Sequence, residues 1–242
     1  MRGAIGGGML PIHHPELEAI FRQTVGKVAR TICIAAAMPG EGVTTFALAL
    51  ARRGAAGGLK TLFVDADVVH SDATTSLGLS RRYWSPADPS PRAAVARIDS
   101  CGFGVLPAPT GADPLTFRDR GALRRMFDAA LDDFELIVVD TTAIGDPNHY
   151  SIPAEVVAAA CDATVLVVLA GVTSEHAVRL AVDRLAAADA RLWGTVMNDR
   201  FNPSLAEELL RQVDRLTPVT PGLVASLRRL IRRSVFLNMQ IE

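Results

Sequence analysis

Lysine is nearly missing from this 242-residue chain. Lys27 and Lys60 are the only two among 25 basic residues, so arginine supplies the rest of the positive charge. A background preference for arginine preserves charge and explains most of this scarcity. It does not explain a position where chemistry calls for lysine and an apolar residue stands instead. Cysteine is scarce too: Cys33, Cys101 and Cys161 are far apart and form no CxxC pair, which excludes a disulfide scaffold and leaves zinc or redox motifs without support. The longest apolar stretch, 163–172, is about ten residues, well short of a membrane span. Residues 1–10 are glycine-rich and lack the apolar core of a signal peptide. These absences point to a soluble cytoplasmic protein. An excess of charge of either sign is also missing. Twenty-five basic against 26 acidic residues give a net charge of −1, so no nucleic-acid partner is expected. With 49% apolar and 21% charged residues, the composition is that of a globular chain rather than a disordered one.

What is present alternates. Residues 1–14 read as a flexible lead, and 15–242 as one domain. Apolar runs at 31–36, 62–64, 104–106, 136–139, 164–169 and 192–197 predict strands. Helical patterns at 15–28, 44–56, 119–131, 153–160, 174–188, 203–216 and 222–237 fall around them. Strand runs without polar alternation are buried on both faces, and helices between them imply parallel crossovers. The expected fold is therefore α/β: a doubly wound, mostly parallel sheet with helices on both faces. Residues 80–101, with Pro86, Pro89 and Pro91, read as a surface excursion. Sheets of this kind bind ligands beyond the carboxyl ends of their strands.

At the first such end stands Ala37-Met38-Pro39-Gly40-Glu41-Gly42-Val43-Thr44-Thr45, between a buried strand and a helix. Glycines there let backbone N–H groups converge on an anion, and the helix N-terminus adds partial positive charge. Against the pattern GxxxxGK[ST], Gly42 and Thr44 match, while Ala37 replaces the first glycine and Val43 the lysine. Two further strands end in acids, at Asp65 with Asp67 and at Asp140. Acids at strand ends facing a phosphate loop are how a hydrated Mg²⁺ is held. A single such aspartate would be explained by turn formation; three beside the loop indicate a nucleotide site.

The order Met-Pro-Gly-Glu-Gly-x-Thr-Thr, Phe63-Val-Asp-Ala-Asp67, Leu106-Pro-Ala-Pro109, Ile137-Val-Val-Asp-Thr141 and Gly194-Thr-Val-Met-Asn198 resembles the bacterial tyrosine kinases. These are cytoplasmic ATPase modules of capsule and exopolysaccharide export, within the deviant P-loop family that also holds the ParA and MinD ATPases. The resemblance runs over residues 15–216 and implies the same doubly wound fold. It also implies that Gly40, Glu41, Gly42, Val43, Thr44 and Thr45 form the phosphate loop and that Asn198 contacts the adenine. Thr44, Asp67 and Asp140 would hold Mg²⁺ with ATP or ADP, and Asp65 and Asp140 would be the catalytic acids. It implies a membrane-embedded polysaccharide co-polymerase as partner, and a homo-oligomer.

The departures carry as much as the matches. Val43 replaces the lysine that neutralises the β- and γ-phosphates, and Met38 stands where the MinD and ParA ATPases carry a second lysine. Val69 and His70 stand where the tyrosine kinases carry basic residues. Arg52 and Arg53 lie roughly 12 Å along the helix from Thr44, too far to substitute. The only tyrosines are Tyr83 and Tyr150, so the C-terminal tyrosine cluster of the kinases is missing. Of the ring-forming Glu-x-x-Arg-x-x-Arg pattern there remain Glu18 and Arg22, with Val25 beyond. His13 and His14 read as a helix lead-in, and His149 has no partner that would make it a catalytic base. The expectation is a pseudoenzyme that regulates exopolysaccharide or capsule synthesis, its affinity for ATP or ADP with Mg²⁺ weakened. The alternatives are an active ATPase or tyrosine kinase using a cation supplied in trans, and a MinD- or ParA-like localisation factor. At 222–237, leucines on one face and Arg228, Arg229, Arg232 and Arg233 on the other suit packing on the core. They also suit peripheral contact with an inner membrane.

Overall fold

The computed structural model describes residues 15–25, 29–88, 91–98, 101–111, 113–146, 148, 151–200, and the single positions 209, 210, 213, 227 and 231. His13, His14, Lys27, His149, Tyr150 and the arginines of 222–237 lie outside the described residues. The chain divides after Asn198 into two units. In the second, Val213 and Ile231 are buried, with Leu209, Leu210 and Leu227 packed against them, and all five positions are helical.

The first unit is built on one seven-stranded sheet. In chain order its elements are α1 (Pro15–Thr24), β1 (Thr31–Ala36), α2 (Val43–Ala56), β2 (Thr61–Asp65), α3 (Asp72–Ser76), β3 (Ala96–Arg97) and β4 (Gly104–Leu106). There follow α4 (Arg120–Arg125), β5 (Leu136–Ala143), α5 (Ala154–Ala160), β6 (Ala163–Leu169), α6 (Glu175–Ala187) and β7 (Leu192–Asn198). The strands run in the order β3-β4-β2-β5-β1-β6-β7, all neighbours parallel except β3 with β4. This is the doubly wound architecture expected. β1, β2, β5 and β6 are buried at every residue, which is why their sequences lack polar alternation.

Two apolar cores lie on the two faces. One gathers Cys33, Val64, Phe127, Val139 and Leu166 with α4, α5 and α6; the other gathers Ile32, Ile34, Phe63, Val138 and Val165 with α1 and α2. Helix α2 packs closely because alanine and glycine face the sheet. A Cβ on Gly54 would stand 2.5 Å from a Leu136 methyl and 2.8 Å from the Thr61 hydroxyl, so the strand–helix contact admits no side chain there. Gly54→Ala is therefore expected to destabilise by about 1–3 kcal/mol through overpacking, despite alanine's better helix propensity. Denaturant unfolding measures it.

Several elements differ from the sequence expectation. The described residues of 80–101 are a surface excursion only in part: Arg81, Arg82 and Tyr83 are exposed, but the segment is anchored inward. Trp84 is 1% exposed, donates its indole N–H to the Pro107 carbonyl at 2.7 Å, and meets Phe117 edge-on; Ala94 and Ala96 are buried as well. The prolines mark turns in a segment that an apolar anchor draws inward. The predicted helix 119–131 is a short α-helix followed by a π turn at Met126–Ala130. The Arg30 guanidinium donates to the carbonyls of Phe127, Leu131 and Phe134 there. β5 runs past Asp140 to Ala143, with an extra residue relative to β1 between Asp140 and Ala143. Such bulges re-aim side chains beside functional sites.

Candidate nucleotide site

The loop Ala37–Gly42 connects β1 to α2, and its shape is set from within the chain. Gly42 takes φ +98°, a left-handed conformation that disfavours side chains, and it caps α2 with no side-chain hydrogen bond. The first backbone bond into the helix is Phe46 N–H to the Gly42 carbonyl, so the preceding amides project beyond the helix end. That uncapped end suits an anion.

Glu41 is 1% exposed, and its carboxylate folds back on its own loop. One oxygen accepts from the Ala37 and Met38 amides at 2.9 and 3.1 Å, and the other from the Thr173 hydroxyl. Thr173 in turn accepts from the Leu169 amide at 3.2 Å, tying the loop to the end of β6. Asn198, at the end of β7, donates its side-chain amide to the Glu41 carbonyl at 2.8 Å, and a Cβ on Gly42 would lie 2.6 Å from that nitrogen. Glu41 and Asn198 thus brace the loop. Thr173, which holds the Glu41 carboxylate from 132 residues away, has no local sequence signal. Glu41→Ala leaves two amides and a hydroxyl without their acceptor, and about 1–3 kcal/mol of stability should be lost. Faster amide hydrogen exchange across residues 37–42 is the accompanying readout.

The Val43 side chain is half-buried and packs against the α1–α2 core. Among the described residues, Arg53 and Lys60 are engaged elsewhere. Arg53 makes a bidentate pair with Glu18 and lies 4.3 Å over the Phe21 ring, fastening α1 to α2. Lys60, at the opposite end of β2, is paired with Asp133. Glu18 also approaches Arg22 at 3.7 Å, the spacing expected along a helix.

The acids come together on neighbouring strands. Asp65 and Asp140 are register partners across β2 and β5. Asp65 is fully buried, and its oxygens accept from the Asp67 amide and from both the amide and hydroxyl of Thr74. Burial raises its pKa, and the Thr74 bonds oppose that rise. Thr74 then accepts the Ala108 amide, so Asp65 organises the loops after β2 and β4. Asp67 accepts from the Val69 and His70 amides and from the His70 ring.

Asp140 is different. It is 1% exposed and neither carboxylate oxygen has a hydrogen-bond partner. Burial drives its pKa well above the usual carboxylate range and the charge of Asp65 adds to this. The neighbouring Thr44 hydroxyl opposes the rise without making a bond of ordinary geometry. An orphaned, buried carboxylate beside a hydroxyl at an uncapped helix end fits a hydrated Mg²⁺. Among the described residues no group of three or more acids, histidines or cysteines could enclose a metal ion alone. Such a site suits Mg²⁺, which keeps waters and takes substrate phosphate oxygens rather than an all-protein cage.

The fold is that of the P-loop NTPases, with the loop and the strand-end acids at the carboxyl end of its sheet. More particularly, the chain is similar to bacterial tyrosine kinases. It is 28% identical over 194 residues to the tyrosine-protein kinase CpsD of Streptococcus agalactiae, covering 76% of this chain and 81% of that protein. It is 27% identical over 183 residues to CpsD of Streptococcus pneumoniae, covering 73% and 78%. Among solved structures, the kinase domain of the Escherichia coli tyrosine kinase ETK shares its fold with a TM-score of 0.64 at 20% identity, covering 82% of each chain. Cobyrinic acid a,c-diamide synthase from Mycobacterium smegmatis, with a bound ATP analogue and magnesium, shares it with a TM-score of 0.58 at 21% identity, covering 70% and 72%. No family model matches the chain. Among the described residues no helix is long and apolar enough to cross a membrane.

Proposed function

We propose that the chain is a catalytically degenerate relative of the polysaccharide-associated tyrosine kinases. It would regulate exopolysaccharide or capsule synthesis by binding a membrane-embedded co-polymerase from the cytoplasmic side. The observation that carries the reading is Val43: the loop position that should present an ammonium to the phosphates presents a side chain packed on the core. Catalysis of phosphoryl transfer is almost wholly positioning and charge stabilisation, so a loop without that cation loses much of its means. The chain's own residues would still receive a nucleotide weakly, through the amides at the start of α2, with Asn198 and Glu41 holding the loop's shape. Thr44 and Asp140 would hold Mg²⁺, which when bound supplies the positive charge that the loop lacks. Calorimetric titration with Mg-ATP and Mg-ADP tests this: binding weaker than micromolar and no turnover are expected. Micromolar affinity with measurable hydrolysis would sink the pseudoenzyme reading.

The orphaned Asp140 favours one second reading. A site that keeps an unpaired buried acid remains suited to a metal–nucleotide complex, and an arginine supplied by a neighbour would complete it. Hydrolysis would then appear only with the partner present and would be lost on Asp140→Asn.

A further inference from the structure

An arginine without a counter-charge sits on the turn beside the acids. The Arg81 guanidinium donates from Nε and Nη2 to the Ser71 hydroxyl at 3.2 and 3.0 Å, and from Nη2 to the Val69 carbonyl at 3.4 Å. Arg53, Arg92, Arg120 and Arg124 each pair with a carboxylate. Among the described residues no carboxylate pairs with Arg81, and its Nη1 donors have no partner. Asp67, in the same turn, is taken by the Val69 and His70 amides and the His70 ring instead. The seat of the guanidinium is fixed. Ser71 is 6% exposed, donates its own N–H to the Asp67 carbonyl at 3.0 Å, and takes φ +48°, uncommon for a residue with a side chain.

The strand order says what that cation neighbours. β1, β5 and β2 lie side by side, with the phosphate loop after β1, Asp140 on β5 and the turn of Arg81 after β2. The Asp67 amide donates to the Asp65 carboxylate at 3.1 Å, and Asp65 is the register partner of Asp140, so the turn begins beside the orphaned acid. Mg²⁺ in nucleotide sites bridges oxygens of the last two phosphates. A triphosphate seated on the α2 amides, with its metal at Thr44 and Asp140, therefore brings its terminal phosphate toward β5 and the turn that follows β2.

We propose that Arg81 is the cation that this chain itself brings to the terminal phosphate of a nucleoside triphosphate, so that the site favours triphosphate over diphosphate. The inference rests on the nucleotide reading above and names the residue that reads the last phosphate. The free N–H groups of Nη1 donate to phosphate oxygens while Nε and Nη2 stay on Ser71, which positions them. By the strand order, Asp140 stands between this turn and the loop that carries Val43. Arg81 therefore meets the end of the polyphosphate and does not replace the lysine missing from the loop.

Calorimetric titration of the full chain with Mg²⁺ and either ADP or the non-hydrolysable β,γ-imido analogue of ATP, carried to millimolar concentration, tests the assignment. The wild type should bind the triphosphate about tenfold more tightly than the diphosphate, the worth of one charge-assisted contact. Arg81→Ala should erase that preference by weakening the triphosphate alone. Arg81 is exposed, so the variant should keep the wild-type circular dichroism. If it does not fold, Arg81→Gln decides, since it can keep the bond to Ser71 without the charge. Arg82→Ala removes an equal charge from the next residue, whose guanidinium rests on the Ala94 and Val95 carbonyls, and should change neither affinity. A wild type without the preference, an Arg81 variant that loses both nucleotides alike or neither, or an equal loss in Arg82→Ala overturns the role of Arg81 and leaves the nucleotide reading standing. A wild type that binds neither nucleotide overturns both.

Discussion

Val43→Lys should tighten Mg-ATP binding by roughly 10- to 100-fold, the worth of one charge-assisted contact to phosphate. The position is favourable for the experiment. Val43 opens α2 beside the left-handed Gly42, and its side chain covers part of the α1–α2 core. A lysine stem can lie over that apolar surface while its ammonium turns toward the amides of the loop, so the helix start is retained. The loop it would serve is already shaped by Glu41, Thr173 and Asn198 rather than by a ligand. Little ordering cost should therefore offset the new contact. Paired titrations of wild type and variant give the answer. An unchanged affinity would mean that the site has departed from nucleotide binding by more than this one residue.

Asp140→Asn should raise thermal stability near neutral pH, by about 1–3 kcal/mol, since it removes a buried carboxylate that has no partner. For a domain of this size that is several degrees in Tm. The sign with pH follows from the direction of the shift. The Asp140 carboxyl is raised in the folded protein, so the native state holds its proton after the unfolded chain, titrating near about 3.9, has released it. The stabilising contribution is full below the unfolded value and is lost as pH rises through the folded one. Asp65 is raised in the same direction by its own burial and adds to the slope. The advantage of Asp140→Asn should therefore vanish in acid and grow toward neutrality. Mg²⁺ should stabilise the wild type at neutral pH and leave Asp140→Asn unmoved. Thermal melts across pH, with and without Mg²⁺, measure both effects. A variant no more stable than wild type at neutral pH would show that Asp140 finds a partner in solution.

Much of the fold was legible because β1, β2, β5 and β6 are buried on both faces. Thr31–Ala36 and Gly104–Leu106 match the predicted bounds, and the other long strands differ by a few residues at their ends. The exception is Leu136–Ala143, which continues past Asp140 because Thr141 sends its hydroxyl to the Ile34 carbonyl rather than ending the strand. Trp84 was misread with its neighbours, since a proline-rich segment carries no periodicity to show that one indole has found a buried carbonyl. The π turn after α4 depends on Arg30 collecting three carbonyls from about a hundred residues away, which no local window contains.

For the site, the sequence by itself determined the chemistry: a glycine-bearing strand–helix loop, three strand-end aspartates, and valine in place of lysine. Spacing and residue type suffice for that, because each motif is local. Only the tertiary structure decided how those residues are used. Three of the four carboxylates are occupied by the protein: Glu41 by its own loop and Thr173, Asp65 by Thr74, Asp67 by the turn that follows it. Asp140 alone is left buried without a partner. Partnership in a buried site depends on which strands lie side by side and which hydroxyls reach across them. Those distances arise only once β2, β5, β1 and β6 have been brought together in the sheet.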